Sequence, residues 1–140
     1  MSSANLDLVR SIFADWERGD FGSAEWAHSA IEYVWVDGPS PGSRMGLAGM
    51  AEGWRGFVSA WGELRVAADD YRELDCERVL VLNHYSGGRG KTSGVELGQM
   101  RTEVAALFHV RDGKVTRLVL YWDRERAFAD LGLASEADSP

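Results

Sequence analysis

The sequence predicts an α+β fold: a cone-shaped, curved antiparallel or mixed β-sheet packed against N-terminal helices, with a short C-terminal helix. Three observations carry this reading. Two long β-type runs, Leu97 to Val110 and Lys114 to Trp122, meet at Asp112-Gly113. An Asp-Gly step between alternating apolar residues specifies a tight hairpin, because both turn residues must reach positive φ. The N-terminal half instead carries apolar residues at three- and four-residue steps and holds five of the six tryptophans, which places helices ahead of a meander. Finally, Asp69-Asp70 interrupts the alternation of Leu64 to Leu74. Such a break marks a β-bulge, a device that bends a long strand and helps a sheet curl.

The first helix is expected from Leu6 to Arg18, with Asn5 as N-cap and Gly19 as the left-handed exit. Leu6, Val9, Phe13 and Trp16 fall on one face, which is core or pocket wall. A short helical turn around Ser23 to Ala27 then leads into a strand, Ala30 to Val36, ended by Asp37-Gly38-Pro39. Leu47, Met50, Trp54, Phe57 and Trp61 form a second helical stripe beside a row of Gly46, Gly49, Gly53 and Gly56. An interior glycine costs about 1 kcal/mol relative to alanine. The row therefore either admits close approach by another backbone or is merely tolerated. Strands follow at Leu64 to Leu74, Arg78 to Ser86, Leu97 to Val110 and Lys114 to Trp122, and Asp123 opens a helix running to Leu131. The first few residues and Glu136 to Pro140 are expected to fray.

A length of 140 residues, with 45% hydrophobic content and three prolines, suits a single domain over the whole of 1–140. The formal net charge of −7 and a pI near 4.9 oppose binding to phosphate backbones or anionic lipid, both of which need a concentrated positive field. Neither nucleic acid nor membrane is an expected partner. Without a leader pattern or a long apolar run, a cytoplasmic protein is expected. Cys76 is the single cysteine, which rules out an internal disulfide and suits a reducing compartment. The three histidines and one cysteine are scattered without ligand spacing, so neither metal nor cofactor is predicted. Gly90-Lys91-Thr92 echoes a phosphate loop but has Tyr85 where the first glycine is required. It reads as a hairpin connection. No glycine-serine-glycine elbow marks a covalent nucleophile.

Asp37 is the first chemical candidate. It follows Tyr33-Val34-Trp35-Val36, on the face of Tyr33 and Trp35 if the strand stays regular. A carboxylate facing an apolar cavity loses hydration and becomes a competent general base. The competing reading is a turn residue closing a strand before Gly-Pro. His84 is the second candidate, an imidazole that titrates near neutrality and could share proton transfer. Alternation does not settle its direction, because Val79, Leu80, Val81 and Leu82 are all apolar, and Asn83 or Tyr85 could point inward instead. Tyr33, Trp35, Trp54, Trp61 and Trp122 are the candidate substrate-binding residues, with plain core packing as the alternative. Asp123 reads as a helix cap. His109 falls out of phase with Val104, Ala106, Phe108 and Val110, and so faces the other side of the sheet.

The order of elements, with Trp16-Glu17-Arg18-Gly19-Asp20, Gly90 to Glu96, Val110 to Val115, Tyr121-Trp122-Asp123-Arg124 and Leu131-Gly132-Leu133, resembles the SnoaL-like family of the nuclear-transport-factor-2-like cone fold. The resemblance covers nearly the whole chain. It implies a fold and a cavity, and a family of polyketide cyclases, isomerases and epoxide hydrolases. Asp37, followed by Arg44 and Gly46, stands where a ketosteroid isomerase has its base, but the tyrosine and protonated acid of that site would fall near Ile12 and Ala106. The charged set of the epoxide hydrolases would fall near Leu82, His84 and Leu120. The expected function is cofactor-free acid/base catalysis of a cyclase or isomerase type, on a hydrophobic polyketide-, terpenoid- or steroid-like molecule. A non-catalytic binding or scaffold module and an epoxide hydrolase are the alternatives. The resemblance also implies a homodimer through the sheet, burying residues such as Ala105, Leu107 and Val119.

Overall fold

The computed structural model describes residues 4–22, 24–38, 41–61, 64–87 and 101–133, the side chains of 60, 61, 87 and 101 excepted. The loop Gly90 to Glu96 and the first residues expected of the strand at Leu97 lie outside the described residues.

Helix α1, Ala4–Glu17, buries Val9, Ile12, Phe13 and Trp16 along one stripe. It starts one residue before Asn5, which is therefore no cap. The Asn5 amide instead donates to the Cys76 carbonyl at 2.8 Å. Gly19, at φ +85°, supplies the left-handed exit. Strand β1, Ala27–Trp35, begins earlier than predicted, and Glu25-Trp26 form a plain turn where a helical one was expected. A strand absent from the sequence reading follows: β2, Gly42–Met45, exposed at all four positions and paired antiparallel to β1. Helix α2 spans Gly46–Trp61.

Strands β3 (Leu64–Glu73), β4 (Arg78–Gly87), β5 (Arg101–Arg111) and β6 (Lys114–Tyr121) form the meander, and helix α3 (Arg124–Leu131) closes the described chain. Asp112 at φ 52° and Gly113 at φ 76° make the tight turn between β5 and β6 that the Asp-Gly step requires. The β3–β4 register slips between Ala68 and Asp70, so Asp69 is the bulged residue. The sheet is mixed, in the order β2-β1-β6-β5-β4-β3. β1 and β6 run parallel, with Tyr33 opposite Leu118 and Trp35 opposite Leu120.

Period-two alternation sends the strand residues to two cores. Tyr33, Trp35, Val79, Val81, Tyr85, Ala106, Phe108, Leu118 and Leu120 pack with α1 and α2 on the concave face. Leu80, Leu82, Ala105, Leu107, Val119 and Tyr121 pack under Ala127 and Phe128 of α3 on the other. Ala105, Leu107 and Val119 are thus 1%, 3% and 4% exposed within one chain. A second copy would find them already covered. Asp123 caps α3 by accepting from the Glu125 amide at 3.0 Å, as its sequence context suggested. The glycine row of α2 is heterogeneous. A Cβ at Gly53 would sit 2.7 Å from the Tyr33 ring and 3.0 Å from Arg44 Cδ, whereas at Gly56 it would meet nothing within 4 Å. Backbone does approach the row elsewhere: a Cβ at Gly46 would lie 3.6 Å from the Ser29 carbonyl oxygen, and one at Gly49 3.6 Å from the Arg44 carbonyl carbon.

Candidate functional site

The concave face is an aromatic lattice. From α1, Trp16 meets Trp54 of α2 edge-on, with ring centroids 5.1 Å apart. Trp54 lies 6.0 Å from Tyr33 and 5.8 Å from Phe57. Phe57 in turn reaches Trp35 at 4.9 Å, Tyr85 at 5.0 Å and Trp122 at 6.1 Å. The lattice exists because β1, β4 and β6 each present alternate residues to the face covered by the 3.6-residue stripe of α2. Trp61 ends α2, and its side chain lies outside the described residues. Trp16 also floors an open cleft of about 540 Å³, which includes Glu17 and Arg18 at the end of α1, Leu64 to Ala67 of β3, and Ser86. The Glu17 carboxylate closes part of that edge by accepting from the Ala68 amide at 3.1 Å.

Polar groups are set into the apolar wall. The Tyr33 phenol accepts a hydrogen bond from Trp35 Nε1 at 3.0 Å, which leaves its own proton free for another acceptor. Burial pushes the Tyr33 and Tyr85 phenols well above the usual tyrosine range, against smaller opposing effects from Trp35 and Arg44 on Tyr33 and from Asn83 on Tyr85. Burial thus keeps both phenols in the neutral form at ordinary pH. Asn83 shares the concave parity of Val81 and Tyr85, is 1% exposed, and hydrogen-bonds Tyr85.

Asp37 sits half-buried where β1 ends. The parallel ladder runs one step past β1, from the Val36 amide to the Leu120 carbonyl at 3.0 Å. Asp37 Oδ1 then takes the place of a backbone acceptor and receives the Trp122 amide at 2.7 Å. Gly38 follows at φ +96°, packed against Trp122 so closely that a Cβ there would lie 2.8 Å from Trp122 Cβ. Asp37 and Gly38 together seat Trp122 in the wall.

His84 is not brought to this site. Its strand parity is that of Leu80 and Leu82, so the ring points to the α3 face, opposite Tyr33 and Trp35. There Nδ1 lies 2.9 Å from Oδ1 of Asp69. The expectation that His84 shares a cavity with Asp37 is corrected by a one-residue difference in parity. Asp69 also receives Arg124 Nη2 at 2.7 Å. The same guanidinium, in a residue 7% exposed, donates to the carbonyls of Val104 and Asn83 at 2.9 Å each and to Glu103 at 3.3 Å. The cluster ties β3, β4 and β5 to α3. The sequence reading missed Arg124, although an arginine in the first turn of a helix opposes the dipole and so signals a partner elsewhere.

Four of the positions at which the resemblance implies polar or charged groups, Ile12, Ala106, Leu82 and Leu120, hold apolar side chains. Ile12 and Ala106, at 1% and 0% exposure, are core residues without a donor. Leu82 and Leu120 are buried on opposite faces of the sheet. Among the described residues no group of three or more His, Cys, Asp or Glu is placed to hold a metal ion. No described helix is long and apolar enough to cross a membrane.

Comparison with known proteins agrees with this architecture. A family model described as a SnoaL-like domain matches residues 9–118. TerC, co-crystallised with polyporic acid, is 25% identical, with a TM-score of 0.68 over 92% of this chain and 98% of that one. An NTF2-like protein of unknown function from Burkholderia pseudomallei is 18% identical, with a TM-score of 0.70 over 91% of this chain and 97% of that one. A candidate polyketide cyclase from Xanthomonas campestris is 21% identical, with a TM-score of 0.62 over 90% and 94%. At these last two identities the likeness is one of fold. No curated sequence matches the chain.

Proposed function

The chain belongs to the SnoaL-like domain family, and from that premise we propose that it binds a flat, hydrophobic small molecule against the concave aromatic wall and acts on it by cofactor-free proton transfer of the cyclase or isomerase type. The observation that carries this reading is the run of touching rings through Trp54, Phe57, Trp35, Tyr85 and Trp122, with neutral phenols set among them. Aromatic faces with few polar handles suit a planar polyketide-like ligand. TerC, a structural neighbour at 25% identity, was co-crystallised with polyporic acid.

In this scheme Asp37 is the base. Its Oδ1 is engaged by the Trp122 amide, so Oδ2 takes the proton from a carbon beside a carbonyl. The C–H electron pair moves onto the carbonyl oxygen, and the resulting enolate oxygen is met by a phenol such as that of Tyr33. Return of the proton at another carbon is isomerisation. Attack of the enolate carbon on a second carbonyl, with protonation of the new alkoxide, is cyclisation. The bond from Trp122 to Asp37 favours a second reading, in which the carboxylate only braces the wall and the domain binds without turnover.

Asp37→Asn separates the two, because its amide oxygen can still accept from Trp122. Quenching of tryptophan fluorescence by polyporic acid measures binding, and loss of the proton signals beside the carbonyl of 1-tetralone in deuterated water, followed by NMR, measures proton abstraction. The catalytic reading expects unchanged quenching and lost exchange in the variant. Exchange equal to solvent in the parent protein leaves the binding reading. Absence of binding by either compound at millimolar concentration removes both. A homodimer is also part of the proposal, through a surface other than Ala105, Leu107 and Val119, and sedimentation equilibrium tests it.

A further inference from the structure

Strand β3 is an edge of the sheet, so every second residue turns its backbone N–H and C=O away from β4. The Ala68 amide is one of these, since it donates to Glu17 Oε2 of α1 at 3.1 Å. The β3–β4 register is unbroken from Leu64 to Ala68, and the two backbone groups of a residue in an antiparallel strand point the same way. The outward set is therefore Leu64, Val66 and Ala68, whereas Arg65 and Ala67 turn towards Ser86 and His84 of β4. Glu17 serves Ala68. The outward groups of Val66 have no partner among the described residues. They lie on the cleft of about 540 Å³ that Leu64 to Ala67 share with the end of α1, Trp16 to Gly19. The rim adds charge. Arg18 is matched by Asp15, but Arg65 is exposed and has no ion pair among the described residues. In a chain with 22 acidic and 15 basic residues, an unmatched guanidinium on a cavity wall favours an anionic occupant.

We propose that this cleft is a peptide-docking site, in which an extended segment bearing an acidic side chain adds to β3 as a further strand, exchanges backbone hydrogen bonds with Val66 and sets its carboxylate against Arg65. Main-chain bonds then supply affinity and the charge supplies selectivity. The open edge from Leu64 to Ala67 is short. Four residues at about 3.3 Å each span about 13 Å, so a segment of four or five residues fills it. Pairing stops at Ala68, whose amide Glu17 already holds, and the bulge at Asp69 bends the edge beyond. The end of α1 forms part of the same cleft, which leaves room for one strand rather than for a second sheet with its own covering helix. Of the residues lining the cleft only Trp16 belongs to the aromatic lattice. The site therefore stands whether or not the concave wall holds a ligand.

Amide hydrogen exchange by NMR and fluorescence anisotropy test it, with a fluorescein-labelled, C-terminally amidated pentapeptide, valine-threonine-valine-threonine-glutamate, as the probe. In the free protein the Val66 amide should exchange at least about tenfold faster than those of Arg65 and Ala67, and saturating peptide should slow it about tenfold. Binding should show a Kd below about 1 mM. Peptides N-methylated at one position at a time should lose about tenfold in affinity at alternate positions and little at those between, because only every second peptide amide faces β3. Arg65→Gln should weaken the glutamate peptide about threefold and leave its glutamine analogue unchanged. Arg55→Gln, at an exposed position of α2 outside the cleft, should change neither. The exchange and N-methyl measurements need no protein variant. A Val66 amide as slow as that of Ala67 in the free protein overturns the proposal, as does absence of binding at millimolar peptide or binding without alternation. Protection of Val66 that grows with protein concentration alone assigns the edge to a second copy and also overturns it. Equal weakening of both peptides, or of neither, by Arg65→Gln overturns the carboxylate requirement.

Discussion

Replacing Arg124 by alanine should be among the most damaging single changes on the α3 face. The guanidinium is 8% exposed and neutralises Asp69, which is 29% exposed, at 2.7 Å, and Glu103, which is 53% exposed, at 3.3 Å. It also satisfies the carbonyls of Val104 and Asn83. Removing one partner of a buried ion pair costs about 3–5 kcal/mol. The partial hydration of Asp69 and the exposure of Glu103 place this case at the lower end, about 3 kcal/mol. At about 3–4 °C per kcal/mol for a domain of this size, the melting temperature should fall by about 10 °C. Lysine keeps the charge but cannot fork to two carbonyls and a carboxylate at once, and should lose about 1–2 kcal/mol. Urea unfolding followed by tryptophan fluorescence and far-UV circular dichroism measures both. Arg126→Ala is the control, since its pair with Asp130 is exposed at 51% and 39%, and it should change stability by no more than about 0.5 kcal/mol. If Arg124→Ala proves as mild as Arg126→Ala, with an unchanged denaturant slope, the cluster does not hold α3 to the sheet.

Three further outcomes are expected. Gly38→Ala, with a Cβ 2.8 Å from Trp122 Cβ at φ +96°, should cost about 2 kcal/mol or more, whereas Gly56→Ala, in open space, should be neutral or gain up to about 1 kcal/mol; parallel urea titrations compare them. Because burial raises the Tyr33 and Tyr85 phenols, the folded state holds protons that the unfolded chain releases near pH 10. Stability should therefore fall as pH rises above about 10, with absorbance at 295 nm showing these two rings ionising only as near-ultraviolet dichroism collapses, and Tyr85→Phe should flatten that slope. Burial lowers His109, helped by Arg117 and Arg78, so the unfolded chain binds more protons below about pH 6.5. Stability should decline on acidification through that value, and His109→Gln should remove this part of the decline in thermal melts at pH 5.5 and 7.5.

What could be read from the chain depended on how local the determinant is. Asp112-Gly113 specified its turn because positive φ is a property of two adjacent residues. Asp69 announced a bulge because two acids break a pattern of period two. Gly42-Ser43-Arg44-Met45 announced nothing, since an exposed edge strand needs neither alternation nor apolar residues and exists here through its pairing with β1. The direction of His84 was hidden because Val79 to Leu82 are buried on both faces of the sheet, which erases the contrast that parity needs. The partner of Asp37 was beyond reach of any local rule, since Trp122 lies 85 positions along the chain. The aromatic wall fell between these cases. Trp35 and Trp54 were visible as apolar stripes, but only the fold puts Phe57 at the centre of their contacts.

The parallel seam between β1 and β6 has a consequence for biosynthesis. Its two strands are separated along the chain by β2, α2, β3, β4 and β5, so on the ribosome β1 has β2 on one edge and its other edge bare until β6 has been made. Chaperones that shield bare β-edges would have their chief opportunity in that interval, and a messenger truncated before Lys114 would yield a product whose central ladder has no way to close.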